Sequence, residues 1–138
     1  MLSDDKDEIR EILAKYCTYG DNGRFRELAD LFTKDGVWQG RLGRAEGRAE
    51  IEALMVRINP APGQGPVRRH LVTNAVVTVE GMTANASSTF ALLRESDTGP
   101  QIGAVGAWTD TLVKEGGRWL IRSRVVTPEI FGEQRLKS

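Results

Sequence analysis

Thiols and imidazoles are almost missing from this chain. Cys17 is its one cysteine and His70 its one histidine. A single thiol excludes an intramolecular disulfide and a thiolate cluster, and one imidazole beside it excludes structural zinc, so no metal is expected. An excess of either charge is also missing, because 19 basic and 19 acidic side chains cancel. That removes the broad positive field by which nucleic-acid and anionic-membrane binders attract their partners, and neither partner is expected. No apolar run approaches membrane-spanning length, and "MLSDDKDEIREI" lacks the basic start and apolar stretch of a secretory signal. The expectation is a soluble cytoplasmic protein. Neither "GQG" nor "GRLG" completes a phosphate-binding fingerprint, and no serine sits in a G-x-S-x-G elbow.

What is present reads as one domain over residues 1–138, long enough to enclose a sizeable core. From Asp4 to Tyr19, the residues Ile9, Ile12, Leu13, Tyr16 and Cys17 follow helical spacing, with Ser3, Asp4 and Asp5 available to cap the start. "GDNG" at 20–23 interrupts that pattern. A short second helix follows through Phe25, Leu28, Ala29 and Phe32, ending near "KDG" at 34–36. "VWQG" reads as a brief strand, and Ile51, Leu54, Met55 and Ile58 mark a third helix before the loop "NPAPGQGP" at 59–66. Beyond it, "VRRHLVTNAVVTVE", "TANASSTFALLRE", "IGAVGAWTDTLVKE" and "RWLIRSRVV" read as four strands joined by turns such as "EGM" and "EGG". Helices followed by an antiparallel meander define an α+β arrangement. Strands of this length tend to curl around the helices they cover, which leaves a pocket inside.

Period-two alternation puts His70, Val72, Asn74 and Val76 on one face of the first long strand, a mixture of polar and apolar groups suited to a pocket wall. An imidazole can take a proton near neutral pH, and a carboxylate beside it would fix one tautomer. Asp21 is the candidate carboxylate, because "YGDNG" ends the first helix where its Tyr16 face would meet the open end of the sheet. Two plainer readings stand beside this one. Asp21 can cap the second helix or make an Asx-turn, and a strand histidine can be a hydrogen-bonded structural residue. "RLGRAEGR" places Arg41, Arg44 and Arg48 before a helix as a possible anion site, although a solvated loop is favoured. Trp38, Trp108 and Trp119 are read as core, with Trp38 placed to line a cavity.

"IREILAKYCTYGDNGRFRELADLFTKDGVW", "GRAEIEAL", "RHLVTN" and "WTDTLVKEGGRWLIRSRVV" together, in that order, resemble the SnoaL-like branch of the nuclear transport factor two-like superfamily. The resemblance runs over about residues 5–126, leaving 127–138 as a loosely held extension or an oligomer contact. It implies a cone-shaped α+β barrel in which three N-terminal helices pack into a strongly curved antiparallel sheet around a deep apolar pocket. It also implies a homodimer or homotrimer built through the exposed sheet face. In dehydratase and dehydrochlorinase members, an aspartate after the first helix pairs with a histidine opening the long strand, and the histidine removes a proton during elimination. Asp21 and His70 match those positions, and Asn74 matches an asparagine found in "HxxTN"-like members.

Two positions depart from that pattern. Gly20 stands where the dehydratase has a tyrosine, with Tyr16 and Tyr19 nearby. Ser123 stands four positions after Trp119, where many relatives carry a basic residue. The implied function is a cofactor-independent lyase or isomerase acting on a small cyclic, largely apolar substrate. His70 would be its base, Asp21 the orienting partner, and Tyr16, Trp38, Asn74 and Ser123 the pocket residues. The alternatives are a non-catalytic carrier of small molecules and an accessory subunit resembling that of ring-hydroxylating dioxygenases.

Overall fold

A computed structural model describes residues 2–132, with side chains described from Asp4 onward. Among these residues the order is α1 (Leu2–Asp21), α2 (Phe25–Ala29), β1 (Phe32–Gly40), β2 (Gly43–Glu46), α3 (Arg48–Ile58), β3 (Arg68–Glu80), β4 (Thr83–Arg94), β5 (Gln101–Glu115) and β6 (Arg118–Phe131). Helix α1 buries the predicted stripe of Ile9, Ile12, Leu13, Tyr16 and Cys17 and carries Asp4 and Asp5 in its first turn. The helix starts before the expected Asp4 and runs on to Asp21, while the side chain of Ser3 lies outside the described residues.

Helix α2 is shorter than its apolar spacing suggests. Phe32 continues the helical count from Phe25, Leu28 and Ala29, yet it begins β1, where it is fully buried and pairs with Ile121 of β6. Pairing in the sheet overrides a pattern that local periodicity cannot resolve. The brief strand expected at "VWQG" is thus the second half of a longer one. "GRAE", expected in a loop, is β2, the hairpin partner of β1.

The six strands form one sheet in the order β2-β1-β6-β5-β4-β3. It is mixed, because β1 runs parallel to β6 while the other neighbours are antiparallel. The expected α+β arrangement of three helices packed against one sheet is what the structure shows; the sheet differs from the expected antiparallel barrel in that it is mixed and is not closed, with β2 and β3 as its edges. Hairpins impose an antiparallel direction on β3 to β6, whereas β1 reaches β6 from far away in the sequence with no tight turn to set its direction. The segment from Thr127, expected to be a loose extension, continues β6 as far as Phe131, and residues 133–138 lie outside the described residues. No described helix is long and apolar enough to cross a membrane.

The three helices cover one face of the sheet, α1 against β3 and β6 and α3 against β1 and β2, with α2 packed on α3. Trp108, Trp119, Phe32, Ile9, Ile51 and Leu112 are buried between the layers. Helix α1 is tied down at its start by two acids. Asp5 accepts from the Trp119 indole N–H at 3.0 Å and pairs with Lys114 at 3.1 Å, while Glu8 accepts from the Trp119 backbone N–H at 2.8 Å. The indole hydrogen bond, followed by Lys114, holds the Asp5 carboxyl below its ordinary value. A depressed folded-state pKa gives stability that is present above the unfolded carboxylate's pKa and is lost as pH falls through the folded one. Asp5→Asn should therefore flatten the acid side of a melting-temperature profile between about pH 5 and pH 2. An unchanged acid limb would contradict this.

Candidate active site

The far end of α1 carries the other fixed carboxylate. Asp21 is the last residue of the helix, whose final turn holds no basic residue, so its charge faces the negative end of the macrodipole. Its partners offset that cost. The Oδ1 atom lies 2.7 Å from His70 Nδ1, and both carboxylate oxygens accept from the His70 backbone N–H, at 3.1 and 2.9 Å. Asp21 neither caps α2, whose N-cap is Arg24, nor closes a turn on itself. The side chains are 5 % exposed for Asp21 and 20 % for His70, so the pair is sheltered while the imidazole stays reachable. An ionised carboxylate only accepts, so beside one a neutral ring would carry its hydrogen on Nδ1 and present the Nε2 lone pair.

His70 lines a cavity of about 580 Å³ between the helices and the sheet. Leu28, Met55, Phe90, Leu92, Trp108 and Val126 supply much of its apolar wall. Tyr16 and Trp38, both expected there, line it too, and they form a relay. The Trp38 indole N–H donates to the Tyr16 hydroxyl at 2.9 Å, which leaves the Tyr16 O–H facing only the weakly accepting Met55 sulfur at 4.0 Å. Burial pushes the Tyr16 phenol above its ordinary value against the pull of Arg124, so it remains a donor at neutral pH. A substrate oxygen would be a far better acceptor than the thioether. Burial also raises the Cys17 thiol to about 11, which removes it as a nucleophile.

Asn74 and Ser123 do not line this cavity, and one kind of irregularity explains both. Strand β3 has an extra residue between Thr73 and Val76, with Asn74 at φ 53°. Beyond that bulge the inward set switches from Arg68, His70 and Val72 to Ala75, Val77 and Val79, leaving Asn74 and Val76 exposed. Strand β6 has its own extra residue between Ile121 and Ser123. The inward set passes from Trp119 and Ile121 to Arg124 and Val126, and the Ser123 hydroxyl pairs with Thr111 at 3.1 Å. A bulge reverses the two faces of everything after it.

The second bulge turns inward a residue that the sequence reading missed. Arg124 is fully buried and makes two hydrogen bonds to the equally buried Asp110, at 2.8 and 2.9 Å. Its guanidinium carbon lies 3.9 Å from the centre of the Trp108 ring and 4.1 Å from that of Tyr16. Burial works against this charge, and Asp110 outweighs it, holding the guanidinium above its ordinary value. Nη1 has no hydrogen-bond partner among the described residues, and the guanidinium as a whole rests against these π-faces. The arginine is a prop beneath the cavity floor. Asp110 shares an inward alternation with Trp108 and Leu112, and a carboxylate in that position needs a buried cation on a neighbouring strand; this was the signal available in the sequence.

The 59–66 loop covers the outer side of the dyad. A smaller cavity of about 230 Å³ beneath it shares Gly20, Asn59, Arg68 and His70 with the main one. Gly23, at φ 72°, has no room for a side chain because a Cβ there would lie 2.6 Å from Pro62. That close approach seats the loop against the end of α1. No group of three or more His, Cys, Asp or Glu among the described residues is arranged to hold a metal ion.

Known proteins reproduce this architecture. An NTF2-like protein with a cystatin-like fold from Novosphingobium aromaticivorans superposes with a TM-score of 0.82 at 29% identity, over 92% of this chain and 83% of that one. A Catenulispora acidiphila protein in complex with S-DNPA gives 0.78 at 28% identity, over 89% and 92%. ActVI-ORFA from Streptomyces coelicolor gives 0.80 at 25% identity, over 90% and 96%. No curated protein sequence matches the chain. The SnoaL-like domain profile matches residues 2–125, nearly all that the structure describes. The chain belongs to the SnoaL-like domain family.

Proposed function

We propose that the cavity is the active site of a cofactor-independent lyase or isomerase acting on a small cyclic, largely apolar substrate. The observation that carries this reading is the 2.7 Å contact between Asp21 and His70 Nδ1 at the cavity wall. With Nδ1 engaged, Nε2 is the ring nitrogen left to take a proton from a bound ligand, and Asp21 stabilises the imidazolium that results. Tyr16, held by Trp38, donates to the substrate oxygen on which negative charge develops. The imidazolium then returns the proton, either to another carbon, completing an isomerisation, or to a departing hydroxide, completing a dehydration. The apolar wall excludes water from both steps. That the Catenulispora protein was solved in complex with S-DNPA supports a ligand-binding role for this fold.

The test is exchange of α-hydrogens of cyclic ketones such as 2-tetralone into D2O, followed by proton NMR, with turnover of cyclic β-hydroxyketones and halides alongside. The wild-type protein should exchange or convert at least one of them well above the His70→Ala background. No difference from that background across the panel would overturn the proposal.

A further inference from the structure

Two hydrogen-bond donors converge on one sulfur atom at the wall of the main cavity. From α1 the Tyr16 O–H faces Met55 Sδ at 4.0 Å, and from the end of α3 the Asn59 side-chain N–H faces the same sulfur at 3.9 Å. All three residues line the cavity. The place of Asn59 follows from "INP". A residue before proline is driven to extended backbone, so Asn59, at φ −117° and ψ 137°, ends the helix. Its backbone N–H and its side-chain Nδ2 then both donate to the Met55 carbonyl, at 3.1 and 2.9 Å, which fixes the amide with its nitrogen toward the helix. One amide hydrogen is used there, and the second faces only the thioether among the described residues. A thioether is a weak acceptor, so each donor falls far short of the bond it can make. Methionine, unbranched and with three rotatable bonds, can yield that place to a ligand.

We propose that Asn59 is a further catalytic residue, which together with Tyr16 holds the carbonyl oxygen of the substrate where Met55 Sδ now lies. This rests on the active-site reading above and adds a second donor to it. As the α C–H bond breaks, its proton passes to His70 Nε2 and its electron pair enters the new carbon–carbon double bond, displacing the carbonyl π pair onto oxygen. The enolate oxygen accepts from both donors, and neither gives up its proton. Return of the proton from the imidazolium to carbon reverses the flow. A carbonyl oxygen has two lone pairs, one for each donor, whereas a cyclic halide offers only a weak acceptor, so the site favours ketones and hydroxyketones. The Asn59 amide does not titrate, and its anchor on the Met55 carbonyl holds it ready before charge develops. Asn59 and His70 also share the lining of the smaller cavity, which puts the amide and the base on neighbouring parts of one wall.

The experiment is isotope-edited infrared spectroscopy of protein-bound 2-tetralone labelled with carbon-13 at its carbonyl, with melting temperatures and exchange kinetics recorded alongside. In the wild-type complex the carbonyl stretch should lie well below its position in dry hydrocarbon, because each donated hydrogen bond weakens the C=O bond. Asn59→Ala and Tyr16→Phe should each lose part of that displacement, and the double variant nearly all of it. In the exchange reaction Asn59→Ala should lower kcat by about 10²-fold with a much smaller rise in KM, as for a donor that acts mainly in the transition state. A helix-capping role alone would lower the melting temperature and leave the stretch where it is. Tyr16→Phe tests the proposal even where Asn59→Ala fails to fold, since the displacement it retains reports Asn59 directly. A stretch unmoved by Asn59→Ala, a displacement lost entirely in Tyr16→Phe, or no bound ketone would each overturn the proposal. So would a displacement that survives the double variant, which would put the oxygen on Arg41 or Arg68 of the cavity wall. Because the stretch is read without turnover, a protein that shows both donors but exchanges no α-hydrogen keeps Asn59 as an oxygen-binding residue and loses the catalytic reading. One that exchanges α-hydrogens with a stretch indifferent to Asn59→Ala loses only the second donor.

Discussion

Asp110→Leu should cost about 3–5 kcal/mol of stability, as should Arg124→Met, because either change strands a charge with no route to water. Both side chains are completely buried and meet through two hydrogen bonds, and the guanidinium is flanked by Tyr16 and Trp108. That loss is a large share of the roughly 5–15 kcal/mol by which domains are stable. The double variant should behave differently. Removing both charges eliminates the desolvation penalty together with the attraction, so stability should return to within about 1–2 kcal/mol of the wild type or exceed it. Methionine at 124 keeps a polarisable group against the two rings, in partial replacement of the cation–π contacts. Urea midpoints at constant slope would measure this. A double variant as unstable as the two single losses combined would contradict the account of the pair as one closed unit.

His70→Ala should lower the rate of proton abstraction by about 10²–10⁴-fold, the usual contribution of a positioned general base. Asp21→Asn should come close to that loss without removing the base. Both carboxylate oxygens accept from the His70 backbone N–H, and Oδ1 also faces the ring Nδ1. Whichever way an asparagine amide turns, its NH2 group confronts an N–H, so the ring loses its fixed tautomer and orientation. Tyr16→Phe removes the one donor that the relay leaves aimed at a poor acceptor, and it should cost about 10²-fold. Melting temperatures recorded in parallel separate these losses from unfolding. Wild-type rates in both His70→Ala and Asp21→Asn would remove the dyad from the mechanism.

Why some of this could be read from the sequence and some could not follows from the physics of strands. Asp21 and His70 were legible because each sits at a boundary, the end of α1 and the start of β3, where short-range patterns and a family resemblance point to the same residues. Tyr16 and Trp38 were legible because they belong to regular elements whose periodicity places them inward. Asn74 and Ser123 were misplaced, and Arg124 was missed, because each lies at or beyond a one-residue bulge. No local composition announces a bulge, and period-two reasoning assigns the wrong face from there onward. Strand β2 escaped notice because four residues carry too little pattern, and the parallel pairing of β1 with β6 because nothing local specifies it.

In the proposed function, Asp21 makes His70 a base by holding the Nδ1 hydrogen and leaving Nε2 to the cavity. Since His70 is the only imidazole in the chain, a long-range proton–nitrogen correlation spectrum contains one ring and no ambiguity of assignment. Recorded above the pH at which that ring loses its charge, it should show a protonated Nδ1 and an unprotonated Nε2, with that preference lost in Asp21→Asn. A spectrum dominated by the Nε2–H tautomer in the wild-type protein would contradict it.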